Sequence, residues 1–383
     1  MNHTKNSLNY KKINQKTIYI HIGTPKTRTT SIQKFLTKNI KILSKEGIYY
    51  PLEGRYSLMI NNKYREDYKN LNYCANGGII NNKNKLKDVL KNFDKSKKNK
   101  MILSEESLFL QNEYNRPFNN EEIWNLLSNY EIKIIIYFRR SVNYLCSLWQ
   151  EYMKLSYQTD LLNFLESYNH LKYLNNFHNL SKRVGGKNII VRTFEKEAWP
   201  NNSLIEDFLS ILKINNFKKF RQDESFENIG ISREECDKLL YINRHLRKRK
   251  WFLNQLKVEI KIATSDNHIK VIDSLSDEII KKITNKYYQE ECKIAHIFLN
   301  REELFQSKFP KIYKKSRPEY KKQISNEDKK KLRFIVNSNF LKLLKTNLKT
   351  IIKLIIKKII DKIYINFYIF RSWFFKKLFN LIR

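Results

Sequence analysis

The sequence of Thr17–Leu36 is TIYIHIGTPKTRTTSIQKFL, and its pattern sets the expectation for the whole chain. An apolar β-type run leads into the short loop GTPKTRTT, and an amphipathic pattern predicts a helix from Ser31. A helix N-terminus presents free N–H groups and the positive end of the helix dipole to an anion. Threonine hydroxyl groups and the Lys26 ammonium group add donors. The stretch therefore predicts a phosphate-bearing ligand beside Lys26.

The rest of the chain predicts an α/β fold with a central, mostly parallel sheet flanked by helices. Four short, nearly continuously apolar runs are typical of buried parallel strands: Thr17–Ile22, Lys100–Leu103, Ile132–Phe138 and Asn188–Phe194. Helical patterns alternate with them: Ser31–Lys45, Asn82–Phe93, Asn120–Tyr130 and Val142–Leu155. Ligands of such sheets bind at the carboxyl ends of the strands.

The remainder of the chain divides by composition. We expect an α/β core over residues 15–215, a helical and highly charged extension of the same domain over 216–340, and a basic amphipathic tail over 341–383. In the tail, Lys345, Lys349, Lys353 and Lys357 recur every four residues opposite an apolar face. This pattern favours a helix lying on an anionic membrane surface. A terminal helix packed on the domain or on a partner is the alternative.

The formal net charge of +36 points to polyanions: nucleic acid, acidic lipid or a phosphorylated ligand. Lys, Asn and Ile are abundant along the whole chain, so a compositional bias is the other explanation. The four cysteines form no CxxC pair and are interpreted as buried thiols in a reducing compartment. No secretory signal, no apolar run long enough to span a bilayer and no metal-type cluster stands out. We expect a cytoplasmic location, with peripheral association at the inner face of the membrane, and no metal.

The loop differs from the phosphate loop of nucleoside triphosphatases and kinases. That motif needs a Gly-Lys pair, whereas Lys26 follows Pro25, and no strand ends in an Asp that could hold Mg²⁺. A nucleic-acid-binding protein would explain the charge, but no recognition motif is present. An exposed lysine in an ordinary turn is the simplest alternative for the loop.

A second element makes the expectation more specific. Lys133–Gln150 is KIIIYFRRSVNYLCSLWQ, in which a predicted strand ends at Phe138, Arg139 follows, and Ser147 comes eight positions later on a helix. Together with the Pro-Lys-Thr loop, this pattern resembles that of sulfotransferases that use 3′-phosphoadenosine 5′-phosphosulfate (PAPS). The resemblance covers roughly residues 15–215 and implies a P-loop-like three-layer fold. A surface ion pair for Arg139 and a packing role for Ser147 are the structural alternatives.

The resemblance also implies roles for individual residues. The loop would hold the 5′-phosphosulfate through Lys26, Thr27, Thr29 and Thr30. Ser31 is a further candidate contact to the donor, and so is the charge of Arg28, which the family motif does not supply. Arg139 and Ser147 would hold the 3′-phosphate, because a guanidinium group and a helix hydroxyl group both donate to phosphate oxygens. Phe194, after the fourth predicted strand, would lie close to the adenine, although a core phenylalanine has the same pattern.

One position departs from the family. Its members usually have a small residue, most often Gly, where this chain has Arg28. Gly permits a positive φ and a close approach of the backbone to phosphate. Arg28 puts that conformation in question. The alternative is that the loop is catalytically inactive and that the protein only binds anions.

The acceptor proton must be removed during sulfuryl transfer, so a base is expected near the sulfate. The segment KMILSEESLF (100–109) resembles the Ser-Ser-Glu strand end of bacterial carbohydrate sulfotransferases, which makes Glu106 the candidate base and Glu105 its neighbour. Neighbouring carboxylates have raised pKa values. Alternatively the pair begins a helix capped by Ser104, and Glu53 is a second candidate base. Lys26 would also neutralise charge on the leaving oxygen.

The sequence thus predicts an enzyme that moves a sulfuryl group from PAPS to a hydroxyl group of a carbohydrate or glycolipid, with an amine as the alternative acceptor. A P-loop-type kinase and a catalytically inactive protein that binds polyanions, nucleic acid or glycan are the competing interpretations.

Overall fold

A five-stranded parallel sheet forms the centre of the protein. The computed structural model describes residues 15–52, 76–80, 82–106, 108–109, 120–155, 157–168, 173–221, 230–245, 269–307, 324–334 and 336. The strands are β1 (Thr17–His21), β2 (Ile48–Tyr49), β3 (Lys100–Ser104), β4 (Glu131–Phe138) and β5 (Ile189–Thr193). They lie in the order β2-β3-β1-β4-β5, and every neighbouring pair is parallel. The predicted α/β fold is confirmed.

Helices follow the strands along the chain. They are α1 (Thr29–Lys38), α2 (Ile40–Lys45), α3 (Gly77–Ile80), α4 (Lys83–Lys95), α5 (Glu121–Leu127), α6 (Ser141–Lys154), α7 (Leu161–Ser167), α8 (Tyr173–Val184), α9 (Leu204–Ile211), α10 (Arg233–His245) and α11 (Asp277–Leu299). Many begin at a side chain that accepts an N–H bond from the first turn: Asn82, Asn120, Asp160, Ser203 and Ser276. None of the helices in these ranges is both long and apolar enough to cross a bilayer.

The described residues divide into two compact units. The first lies within Met1–Glu151, Thr159–Gly230 and Lys270–Tyr320 and contains the sheet. One face of the sheet packs on α1, α2 and α9, through a core that includes Tyr19, Ile102, Tyr137, Phe35, Leu43 and Phe208. On the other face Phe138 stacks on Phe177 of α8, with ring centroids 5.3 Å apart. Helices therefore cover both faces, as the continuously apolar strands require.

The second unit lies within Tyr152–Gln158, Ile231–Ile269 and Lys321–Arg383. Its described part centres on α10, whose Asn243 Nδ2 donates to the carbonyl oxygens of Met153 (2.9 Å) and Tyr157 (2.8 Å). Arg333 Nε donates to the Tyr241 hydroxyl group at 3.0 Å. The basic tail 341–383 lies outside the described residues.

One predicted helix is wrong in its bounds, and one strand was missed. The helix expected over Ser31–Lys45 begins at Thr29 and is interrupted at Asn39, so that α1 and α2 are separate. The Asn39 amide donates to the Phe35 carbonyl group and exchanges hydrogen bonds with the Arg221 backbone, 182 residues away in sequence. The strand Ile48–Tyr49 was not predicted, because two residues show no periodicity.

The cysteines were predicted to be buried thiols. Cys146 and Cys236 are free and buried, which confirms the prediction for these two. Cys292 is free but only partly buried, and Cys74 lies outside the described residues.

Candidate functional site

The site lies where four neighbouring strands end. Because β3, β1, β4 and β5 are adjacent and parallel, the residues that follow them meet at one edge of the sheet. Three backbone hydrogen bonds extend the pairing past the strand ends: Glu105 N to His21 O (2.9 Å), Thr24 N to Tyr137 O (3.0 Å) and Phe194 N to Phe138 O (2.6 Å). The segments that carry the predicted site residues are thus held to one another by the sheet.

The loop after β1 is packed tightly against the end of β3. Gly23 has a φ of +98°, and a Cβ atom there would lie 3.0 Å from Pro25 N and 3.3 Å from Glu106 Cβ. Only glycine fits this position without a shift of its neighbours. The close approach brings the backbone of Glu106 onto the loop that carries Lys26.

Threonine hydroxyl groups stabilise the loop from inside. Thr24 Oγ1 donates to the Tyr137 carbonyl oxygen at 3.0 Å, and Thr27 Oγ1 donates to the Thr24 carbonyl oxygen at 2.6 Å. Thr24 and Thr27 are both buried. The Thr27 hydroxyl group, predicted to contact the 5′ end of the donor, therefore has its proton engaged within the loop in this structure.

Arg28 adopts a left-handed backbone conformation, which glycine adopts more readily than other residues. It is the N-cap of α1, with φ 58° and ψ 33°, in the left-handed region. Lys26 also has a positive φ, of 67°. An L-residue adopts this region at a cost of roughly 1–2 kcal/mol, so the surrounding contacts must impose it. The backbone at this position therefore has a positive φ although the residue is arginine. The Arg28 side chain is exposed.

The first turn of α1 keeps its capacity to bind an anion. Ser31 N and Ile32 N donate to the Arg28 carbonyl oxygen (2.9 and 3.3 Å), so the N–H groups of Thr29 and Thr30 precede the first intrahelical bonds. No side chain caps the helix, and its first turn has no acidic residue. The Thr29 hydroxyl group is buried without a hydrogen bond of good geometry. Thr30 and Ser31 are half-buried.

Arg139 joins the end of β4 to the loop. Its Nη1 atom donates to the Lys26 carbonyl oxygen at 3.1 Å, and its guanidinium carbon lies 5.8 Å from the centroid of the Phe194 ring. Burial, together with the nearby positive charge of Arg28, lowers the pKa of Arg139 to about 10. The side chain therefore remains charged at neutral pH. Three of the predicted ligand residues, Arg28, Arg139 and Phe194, are in this way brought together.

The ammonium group of Lys26 pairs with a carboxylate of α6. Lys26 Nζ lies 3.2 Å from Glu151 Oε2. Glu151 is four positions after Ser147, so both lie on the same face of the helix, and both are half-buried. Glu151 was not singled out from the sequence. Its spacing from Ser147 was the available signal, but its pairing with Lys26 depends on a contact across 125 residues.

Glu106 is the carboxyl group that faces Lys26. Burial raises its pKa, Lys26 lowers it, and the charges of Glu105 and Glu151 raise it. The Thr29 hydroxyl group also lowers this pKa, so it lies near the carboxyl group although their geometry is not that of a good hydrogen bond. A raised pKa was expected at this carboxylate pair, and it is found at Glu106.

The other members of this strand end are tied into the interior. Ser104 Oγ is 2.9 Å from His21 Nδ1 and accepts a bond from Gln33 Nε2 at 3.4 Å, so it is engaged below the sheet edge rather than in a helix cap. Burial lowers the pKa of His21 to about 3, which keeps this histidine neutral. Glu105 is buried. The second candidate base, Glu53, lies outside the described residues.

Comparison with known proteins gives two weak structural similarities. No family model and no curated protein matches the sequence. A sulfotransferase from Alicyclobacillus acidocaldarius is 14% identical over 63% of this chain and 95% of its own, with a TM-score of 0.30. A retinol dehydratase in a complex with retinol and PAP is 13% identical over 70% of this chain and 79% of its own, with a TM-score of 0.26.

Proposed function

We propose that the protein is a sulfotransferase that moves a sulfuryl group from PAPS to a hydroxyl group of a carbohydrate or glycolipid. One observation carries the proposal: Arg139 at the end of β4 donates to the Lys26 carbonyl oxygen of the loop, 113 residues away, at 3.1 Å. The two anion-binding elements expected from separate parts of the sequence are thus in direct contact. A ligand with phosphates at two ends matches this arrangement better than a linear triphosphate.

The described residues fit the donor at both ends. Lys26, the N–H groups at the start of α1 and the unsatisfied hydroxyl group of Thr29 suit the 5′-phosphosulfate. Arg28 and Arg139 repel each other, and an anion between them would relieve that repulsion. Ser147 supplies a hydroxyl group on α6 for the 3′-phosphate. The Phe194 ring beside Arg139 is positioned to contact a planar base.

The chemistry requires few groups from the protein. When bound, the donor supplies a sulfuryl group whose bond to the phosphate oxygen breaks as its bond to the acceptor oxygen forms. Glu106 is the base that takes the acceptor proton, since burial raises its pKa and makes the carboxylate a better proton acceptor. Lys26 balances the negative charge on the departing phosphate. Because Glu106 must be ionised, activity rises with pH through its raised pKa.

The nature of the acceptor rests on the resemblance of the Ser-Glu-Glu strand end to carbohydrate sulfotransferases. The proposal includes a cytoplasmic location and binding of the tail, residues 341–383, to the inner surface of the membrane. This would bring the enzyme to a glycolipid acceptor at that surface. No group of three potential metal ligands occurs in the part of the chain that the structure describes.

Isothermal titration calorimetry with 3′,5′-adenosine bisphosphate (PAP) and with ATP·Mg²⁺ tests the proposal. We expect PAP to bind the wild type, and Lys26→Ala and Arg139→Ala each to weaken PAP binding by roughly 10- to 100-fold, as loss of a charged phosphate contact does. Lys83→Ala and Arg183→Ala are the matched controls, because both residues pair with surface glutamates. ATP·Mg²⁺ binding as tight as that of PAP would contradict the proposal and favour a kinase.

A further inference from the structure

The Lys26–Glu151 pair is the feature of the site that the proposed function does not use. Lys26 Nζ and Glu151 Oε2 are 3.2 Å apart, and the side chains are 26% and 38% exposed. A partly exposed pair of this kind is weak, because water competes for both charges. Lys26 can therefore exchange this carboxylate for another anion.

Glu151 also stands where it would oppose a bound anion. It lies one helical turn after Ser147, on the face of α6 that carries the proposed contact to the 3′-phosphate. Its ammonium partner is the proposed contact to the 5′ end. A donor bound at both ends is therefore close to the Glu151 carboxylate, and like charges repel.

The influence of Glu151 extends to the proposed base. The charged and polar groups that act on the Glu106 carboxyl group are Lys26, Glu105, Thr29 and Glu151. Among them Glu151 contributes a negative charge that raises the pKa of Glu106.

We infer that Glu151 is a positioning residue that restrains Lys26 while the donor is absent and is displaced when the donor binds. The inference deepens the proposed function and rests on it. An anion that contacts the loop alone must compete with Glu151, whereas a donor that also contacts Arg139 has a second attachment.

The variant Glu151→Gln tests the inference, since it removes the charge and keeps the shape. We expect its dissociation constant for PAP to fall about three- to fivefold relative to the wild type, the effect of one partly exposed charge. Glu122→Gln is the matched control, because Glu122 pairs with Lys83 at 2.7 Å on the surface, and it should bind PAP like the wild type.

A carboxyl-carbon NMR titration of the ligand-free protein gives a second measurement that needs no donor. The Glu106 signal is assigned by its loss in Glu106→Gln. In Glu151→Gln the pKa of Glu106 should fall, because a negative charge is lost and Lys26 is released toward Glu106. The control Glu122→Gln should leave this pKa unchanged.

The outcomes separate the two proposals. If the wild type binds PAP through Lys26 but Glu151→Gln binds it no more tightly, the inference fails and the proposed function stands. If the wild type binds no PAP, the proposed function fails, and the titration alone decides: a lowered Glu106 pKa supports the restraint of Lys26, and an unchanged one overturns it.

Discussion

Arg139 and Arg140 follow each other at the end of β4, and their surroundings are opposite in charge. Arg140 Nη2 donates to Glu195 Oε1 at 2.8 Å and to the Ser307 carbonyl oxygen, and its guanidinium carbon lies 4.5 Å from the Phe305 ring centroid. The Arg140 and Glu195 side chains are only 15% and 5% exposed. Arg140 is thus neutralised by the protein itself.

Arg139 has a carbonyl oxygen, an aromatic ring, the Cys146 side chain and a second cation, Arg28, as its neighbours. Within the described ranges no carboxylate pairs with it. Two adjacent arginines therefore differ in whether the folded protein supplies a carboxylate partner. Arg140 is neutralised by Glu195 within the folded protein, whereas Arg139 has no carboxylate partner among the described residues. Position beside a strand end does not fix the electrostatic surroundings of an arginine, because the partners that the fold supplies differ.

The largest difference should appear in stability. Arg140→Ala leaves the buried Glu195 carboxylate without its counter-ion, and we expect a loss of about 3 kcal/mol in the free energy of unfolding. Arg139→Ala removes one hydrogen bond and a repulsion from Arg28, so the loss should stay below about 1 kcal/mol. Urea unfolding followed by tryptophan fluorescence measures both. Equal losses would show that the two arginines do not differ in this way.

Near Arg140, the stability of the fold should depend on pH through Glu291. Glu291 accepts hydrogen bonds from Ser141 N (3.4 Å) and Ser141 Oγ at the start of α6, and burial raises its pKa from 4.5 to about 7. The folded state binds this proton more tightly than the unfolded state does. The stability that Glu291 contributes is therefore present at low pH and is lost as pH rises through about 7.

The variant Glu291→Gln should remove this dependence. At pH 8 we expect it to exceed the wild type by on the order of 2 kcal/mol in unfolding free energy, and at about pH 4.5 the two should converge. Urea unfolding at the two pH values is the measurement, with the exposed substitution Glu302→Gln as the control. A difference between variant and wild type that grows at low pH would contradict the assignment.

Strands that leave a local pattern in the sequence could be predicted from it. Continuously apolar runs predicted β1, β3, β4 and β5, since burial on both faces leaves a clear signal in each strand. β2 has two residues and leaves none. The interruption at Asn39 was missed because its cause is a hydrogen-bond exchange with the backbone of Arg221, far along the chain.

In the site, too, the features with a local sequence signal were predicted, and those that depend on long-range contacts were not. Lys26, Arg139 and Glu106 were singled out because each follows a predicted strand and because the motifs around them resemble those of sulfotransferases; the parallel sheet brings these strand ends together. Glu151 and the difference between Arg139 and Arg140 were missed because both depend on partners that only the folded chain supplies. The positive φ of Arg28 was not expected either, since arginine rarely adopts it and the loop contacts impose it.

On the Arg139 side, Ser147 tests whether α6 contributes to ligand binding. If its hydroxyl group donates to a phosphate, Ser147→Ala should lose about 1.5 kcal/mol, or roughly tenfold in the dissociation constant for PAP. Calorimetry with PAP is the measurement, and Ser128→Ala, an exposed serine at the end of α5, is the control. Unchanged affinity in Ser147→Ala would limit the ligand contacts to the loop and Arg139.

The smallest expected effect is a difference in stability between two variants of Arg28, which separates the role of its charge from that of its backbone conformation. Arg28→Ala and Arg28→Gly both remove the cation beside Arg139, so we expect them to weaken PAP binding to the same extent. They should differ in stability, because glycine adopts the left-handed region without steric cost and alanine does not. The unfolding free energy of Arg28→Gly should therefore exceed that of Arg28→Ala by about 1 kcal/mol, although glycine gains entropy in the unfolded chain. If Arg28→Ala is the more stable variant, the positive φ at this residue is wrong. If the two variants differ in PAP affinity, the backbone of the loop, and not the Arg28 charge alone, governs how the anion is bound.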